Sequence, residues 1–269
     1  MAHFLCTACG TQYAEAAAPP PRCPICEDER QFVPARGQGW TTLEALRGGH
    51  ANAWRMLAPD LLALRTQPAF AIDQRALLVR TPAGNLLWDC LALLDGATEA
   101  LIGALGGLAG IAISHPHYYT TMAEWGRAFG APVWLHAADR AHIQRPDPAL
   151  RFWEGEAQPV LPGLTLYRLG GHFAGGTVAH WAAGAGALLT GDILQVLPDR
   201  RHLGFMRSYP CLIPLPPAEV RRMAARCAAL EFDAVYGAFE DREIATGGKA
   251  AIARSADRYC AWAERMVEP

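Results

Sequence analysis

Short apolar runs that end on residues able to hold a metal ion constrain this chain more than anything else in it. "LAGIAIS" leads into His115 and His117 of "SHPH", "LTLYRLGG" leads into His172, and "GALLTGD" closes on Asp192. Each run has the length and glycine punctuation of a buried strand. Loops that leave a rigid sheet are where binding and catalytic side chains usually sit. One intervening residue on an extended segment points His115 and His117 the same way, so the two rings can converge on one ion, with Pro116 stiffening the turn between them. Glycines beside His172 allow close approach of the backbone. The competing reading is a set of loop histidines hydrogen-bonded to backbone, and an Asp192 that orients a histidine without touching metal.

The intervening segments fit a layered α/β protein. "PAFAIDQRALLVRT", "PAGN" and "LLWDCL" read as two strands joined by a turn. "APVWLHA", "TVAHWAAG" and "DAVYGAF" read as further strands. "TEALIGALGG" and "TTMAEWGRAFG" have helical spacing and glycine ends. "PPAEVRRMAARCAALEF" is an amphipathic helix with a proline start, and "GKAAIARSADRYCAWAERMV" closes the chain as another helix. There are no repeats, and strands in two groups with helices interspersed point to α/β layers.

A different chemistry occupies the first 35 or so residues. Cys6-Thr7-Ala8-Cys9 and Cys23-Pro24-Ile25-Cys26 are two C-x-x-C pairs, each able to turn two sulfurs toward one centre. Together they make a closed tetrahedral thiolate set of the kind that holds a structural zinc ion, and a rubredoxin-like iron site has the same spacing. The segment has almost no apolar core, so the ion would supply most of its folding free energy. The other four of the eight cysteines, Cys90, Cys211, Cys227 and Cys260, are scattered and read as small hydrophobes.

Bulk properties narrow the partners. The net charge of -2 gives no general reason to expect nucleic acid or an anionic membrane, and no apolar stretch reaches the length of a membrane span. "MAHFLCTACG" has neither a basic start nor an apolar signal core, so the expectation is a cytoplasmic protein with reduced thiols. With 51% hydrophobic residues in 269, the chain can build a sizeable core. A homodimer is one open arrangement.

The order "LLWDC", "SHPH", "GGHFAGGT", "LLTGD", "YGAF" resembles the metallo-β-lactamase superfamily from roughly Thr66 to Phe239. The resemblance implies an αββα sandwich over residues 37–269, with metals at one edge of the paired sheets; the cysteine segment before it, residues 1–36, resembles a zinc ribbon. That family's hallmark is H-x-H-x-D-H, then a histidine in a glycine-rich turn, an aspartate after T-G-D and a late G-x-H histidine. His115, His117, His172 and Asp192 match the first metal position. The family's aspartate falls on Tyr119, its next histidine on Thr120 and its late histidine on Phe239, so the second position keeps only Asp192.

A single zinc ion on three imidazoles acidifies water and polarises carbonyl or phosphoryl oxygens, which implies hydrolysis of an ester, thioester, lactone or phosphoester small molecule. Asp192 is the candidate base. Tyr119 is the candidate proton donor, and aromatic packing is the plainer reading of both Tyr118 and Tyr119. The same ligands suit Fe(II), which would make the protein a mononuclear iron oxidoreductase. A third reading is a binding or scaffold protein with a vestigial site. Asp89 is expected to act behind the ligands, His136 and Asp139 to lie near the same edge, and His180 to be structural. Arg200, Arg201 and Arg207 are candidate contacts for an anionic group.

Overall fold

The computed structural model describes residues 1–265; Met266 and Val267 of the closing helix read from sequence lie outside the described residues. The chain forms two compact units, Met1–Trp153 and Glu154–Pro269.

In the first unit, β1 (Phe4–Cys6) pairs antiparallel with β2 (Trp40–Thr42), Cys6 opposite Trp40. The cysteine segment between them, with its short helix α1 (Pro24–Glu27), is thereby closed at both ends by one ladder. Helix α2 (Leu43–Arg47) follows, its start capped by the Thr42 hydroxyl, which accepts from the Ala45 N–H at 3.2 Å. A seven-stranded sheet then runs in chain order: β3 (Ala51–Ala58), β4 (Leu61–Gln67), β5 (Ala76–Thr81), β6 (Gly84–Trp88), β7 (Gly110–Ala112), β8 (Val133–His136) and β9 (Leu150–Trp153). The first four strands are antiparallel and the last four, from β6 on, are parallel. Helices α3 (Gly96–Ala104) and α4 (Met122–Phe129) carry the first two parallel crossovers. Leu77, Leu78, Val79, Leu86 and Leu87 are buried, the near-continuous apolar run that a strand covered on both faces needs. Each such side chain contributes roughly 1.5–3 kcal/mol. Asp95 fixes the start of α3: Oδ1 accepts from Thr98 N at 2.7 Å and Oδ2 from Asn52 N at 3.0 Å, tying helix to β3.

The second unit holds a six-stranded sheet in the order β10 (Ala157–Leu161), β11 (Leu164–Arg168), β12 (Thr177–Trp181), β13 (Ala187–Gly191), β18 (Ala234–Gly237) and β19 (Glu243–Ile244). Only the β13–β18 pair is parallel, Leu188 opposite Val235. Between β13 and β18 come β14 (Gln195–Val196), β15 (Leu203–Gly204), β16 (Met206–Ser208), β17 (Ile213–Pro214) and helix α5 (Pro217–Ala228). Helix α6 (Gly248–Arg265) closes the described chain. Val220, Met223 and Cys227 of α5 meet Ala251, Ile252, Ala256 and Cys260 of α6 in one buried cluster with Leu188 and Val235. The strands and helices read from sequence are present. Cys90, Cys227 and Cys260 are buried small hydrophobes, whereas Cys211 departs from that reading and is exposed. The run from Arg200 to Pro217, which carries the candidate anion contacts, contains three short strands.

Candidate metal centres

The four ribbon cysteines come together. Cys6, Cys9, Cys23 and Cys26 are all buried, and their sulfurs lie within 4.8 Å of one another. Cys6 and Cys26 sulfurs are 3.6 Å apart, as are those of Cys9 and Cys23. A tetrahedral zinc site with Zn–S bonds of about 2.3 Å places its sulfurs about 3.8 Å apart, so the set fits one such ion. The first knuckle turns because Gly10 adopts φ +79, a conformation costly for any side chain, and its N–H donates to Cys6 O at 2.8 Å. Donors from outside the cysteines reach the sulfurs: Tyr13 OH to Cys23 Sγ at 3.0 Å and Gln38 Nε2 to Cys6 Sγ at 2.9 Å. The four thiols share their protons: hydrogen bonds within the set lower the Cys6 and Cys23 thiols and raise those of Cys9 and Cys26 relative to the ordinary range. Burial, then the Cys23 sulfur, pushes the Tyr13 phenol far above its ordinary range, so it remains a donor. Around the sulfurs the packing is thin, with Tyr13, Ile25 and Trp40 as the main apolar side chains.

The histidine loop is built by β7 and its neighbours. After Ala112, the Ser114 N–H donates to Asp89 Oδ1 at 2.7 Å, and Asp89 itself follows β6 in a left-handed conformation, φ 62. The aspartate expected behind the ligands thus anchors the backbone that presents them. Ser114 Oγ lies 2.9 Å from His115 Nδ1, which leaves Nε2 as the ligating atom of that ring. Sequence reasoning did not single out Ser114; a hydroxyl immediately before a candidate ligand was the available signal. His115 is extended (φ -171), but Pro116–Tyr118 is a turn of 3-10 helix, so His117 reaches its place by a turn and not by strand alternation. The two imidazoles are edge-on with centroids 5.1 Å apart. Tyr118, fully buried, sets its ring 4.4 Å from that of His115.

His172 sits in the turn between β11 and β12, and its ring is 5.1 Å from Phe173 and 5.9 Å from Tyr209. The preceding Gly171, φ +77, packs where a Cβ would lie 2.8 Å from Met223 Sδ. His115 and His117 in the first unit and His172 in the second are all buried. Each offers an imidazole nitrogen of the kind that holds a zinc ion. Asp192 is buried immediately after β13. Its charge adds to burial in raising the Tyr209 phenol above its ordinary range.

The remaining candidates are placed as follows. Tyr119 is buried and lines a small cavity with Thr120, Thr11, Gln12 and Arg145. Burial, then Asp139, raises its phenol well above the ordinary range. His136 Nδ1 accepts from Ala138 N at 3.1 Å, with its ring against Trp153. His180 bonds Glu231 O at 2.7 Å, the structural role expected of it. Phe239 is half-buried, and its carbonyl accepts from Arg242 N in a turn. Arg200 is engaged with the Glu243 carbonyl at 3.1 Å.

No family profile matches the chain. It is 46% identical over 264 residues, 96% of each chain, to the uncharacterized protein YmaE of Bacillus subtilis (strain 168). Among solved structures it is similar to the DIM-1 metallo-beta-lactamase, with TM-score 0.59 and 13% identity over 77% of this chain and 98% of that one. It is similar also to the metallo-beta-lactamase from Pontibacter korlensis, with TM-score 0.54 and 15% identity over 77% and 98%. These likenesses show the fold, that of the metallo-β-lactamases, which here follows a four-cysteine ribbon. Among the described residues, no helix is long and apolar enough to cross a membrane.

Proposed function

Because the chain belongs to one family with Bacillus subtilis YmaE and has the metallo-β-lactamase fold, we propose that it is a metal-dependent hydrolase working with a single ion. The observation that carries this reading is the set of buried imidazoles at strand ends, His115 and His117 in the first unit and His172 in the second, with the His115 ring already oriented by Ser114. An ion held there supplies a Lewis acid for a carbonyl or phosphoryl oxygen and acidifies water. The bonds it suits are those of an ester, thioester, lactone or phosphoester. Asp192 takes the proton from the attacking nucleophile, as the buried carboxylate that follows β13. Tyr119 stands as the proton donor to the leaving group, with Tyr118 its competitor because Tyr118 is the ring set against His115. Both phenols are buried, and burial raises that of Tyr119 above its ordinary range, which keeps it a donor. The ribbon ion is structural zinc.

Elemental analysis of the purified protein beside a His115→Ala/His172→Ala variant tests the site. The wild type is expected to hold one ion more than the variant, the shared ion being the ribbon's. Equal metal contents would end the assignment. Tyr118→Phe and Tyr119→Phe compared on one activated ester then decide the donor. Iron at the histidines together with oxygen uptake would make the protein an oxidoreductase instead, since imidazoles and a carboxylate also suit Fe(II).

A further inference from the structure

The ribbon is attached to its own unit at the loop that carries the histidines. Gln12, three residues past Cys9, donates its backbone N–H to Thr120 O at 3.1 Å. Its side chain continues the contact: Nε2 donates to Glu124 Oε1 at 3.2 Å, and Oε1 accepts from Arg145 Nη1. Arg145 Nη1 also reaches Glu124 Oε1 at 2.6 Å, so Gln12, Glu124 and Arg145 form a closed network on helix α4. Gln12, Thr120 and Arg145 are each no more than 4% exposed. Gly10 presses on the same place, since a Cβ added there would lie 3.3 Å from Thr120 Cγ2 and 3.3 Å from Ala92 Cβ.

Thr120 needs such a support. Its φ is 37, in the left-handed region that a β-branched residue rarely occupies, and it holds that conformation three residues after His117. A strained residue persists only where its surroundings over-determine it. Here the surroundings on one side are the ribbon: the Thr120 carbonyl is bonded by Gln12, and its methyl meets Gly10. On the other side Thr121 Oγ1 donates to Leu91 O at 3.0 Å, fixing where α4 begins. His115 and His117 therefore sit on a turn pinned at Ser114 by Asp89 and at Thr120 by the ribbon.

We propose that Gln12 is a positioning residue for the histidine centre, through which the four-cysteine ribbon holds the Thr120 backbone and so fixes the His115–Tyr118 turn. The inference rests on the reading that these histidines hold an ion. It gives the ribbon a second task besides its own folding. A ribbon emptied of its ion, by chelation or by oxidation of its thiols, loosens the histidine centre without any change in that centre's ligands.

The test uses the full chain with the ribbon filled with zinc, titrated with Co(II) and read by ligand-field bands free of thiolate charge transfer. Gln12→Met keeps the size of the side chain and removes its hydrogen bonds. It is expected to weaken Co(II) binding about tenfold, the low end of the effect of residues behind metal ligands. Thr120→Gly accepts the left-handed backbone without strain, so Gln12→Met in that background is expected to lose most of its effect. Arg30→Ala, elsewhere in the ribbon, should leave the affinity as in the wild type. Affinity within twofold of wild type in Gln12→Met, with the ribbon zinc retained by elemental analysis, overturns the proposal. If that variant loses the ribbon zinc, Gly10→Ala replaces it, and wild-type affinity there is equally fatal. Amide hydrogen exchange over Ser114–Trp125 gives a readout that needs no metal at the histidines. Faster exchange in Gln12→Met supports the brace and unchanged exchange refutes it. A wild type that binds no Co(II) at the histidines defeats the proposed function and leaves the exchange test standing.

Discussion

Ser114→Ala isolates what orients His115. Ser114 Oγ is 2.9 Å from His115 Nδ1, and both residues are 1% exposed, so no water replaces the lost partner from bulk. The backbone anchor is untouched, because the Ser114 N–H to Asp89 Oδ1 bond does not involve the hydroxyl. A neutral hydrogen bond contributes about 0.5–1.5 kcal/mol net. Here losing it also releases the ring to rotate and to place its proton on either nitrogen. Partners behind metal-bound histidines are worth about 10–100-fold in affinity, or roughly 1.4–2.8 kcal/mol. The hydroxyl is one of several constraints on this ring, Tyr118 being another at 4.4 Å, so the lower end applies. Ser114→Ala is expected to weaken Zn(II) binding at the histidines about tenfold, and Ser114→Thr, which keeps the hydroxyl, to stay near wild type. The assay is competition against a chromophoric chelator with the ribbon preloaded. Equal affinities for the alanine and threonine variants would refute the claim that Ser114 sets the His115 tautomer.

Three further outcomes follow from other contacts. Cys9→Ser should abolish the ribbon ion, seen as loss of Co(II)–thiolate charge transfer, and lower the melting temperature, because that segment has little else to hold it. Gly171→Ala combines φ +77 with a Cβ 2.8 Å from Met223 Sδ and 3.0 Å from Leu215 Cδ1, and should cost about 2–4 kcal/mol in urea unfolding with an unchanged slope. Asp28 is held well below the usual carboxylate range, first by its hydrogen bond from Arg30. A depressed folded value means that its contribution is present above the unfolded pKa of about 3.9 and fades as pH falls below it. Asp28→Asn should therefore lower stability at pH 7, shrink the difference toward pH 2, and show no such trend if the ion pair contributes nothing.

The candidate ligands were legible because each lies at a strand end, where period and punctuation are strong signals. The hairpin of β3 and β4 was not legible. "ANAWRMLA" and "LLALRTQ" are rich in Ala, Leu, Arg and Met, which favour helices intrinsically, and their strand state is imposed by pairing with β5. Only the Pro59-Asp60 turn marked it. Contacts far apart in sequence were equally hidden: Gln12 with Glu124 and Arg145 spans most of the first unit. The geometry that brings His117 beside His115 was also misjudged, since the proline starts a helical turn where an extended segment was expected.

Tyr119 and Thr120 stand where the resemblance places ligands of a second ion, and the ribbon explains why restoring the letters is not enough. Thr120 is buried against Gly10 and Ala92, with its backbone at φ 37 and its carbonyl bonded to Gln12. A histidine there must fit a ring where a threonine methyl already meets the ribbon, and overpacking of that kind costs about 1–3 kcal/mol. An aspartate at 119 must replace a buried phenol with a charge next to the Asp139 carboxylate, which disfavours ionisation and so ligation. Tyr119→Asp/Thr120→His is therefore expected to be less stable than wild type and to bind no additional ion by elemental analysis. A stable variant with one extra ion per chain would show that the ribbon leaves room for a second metal, and that the brace drawn from Gln12 and Gly10 is wrong.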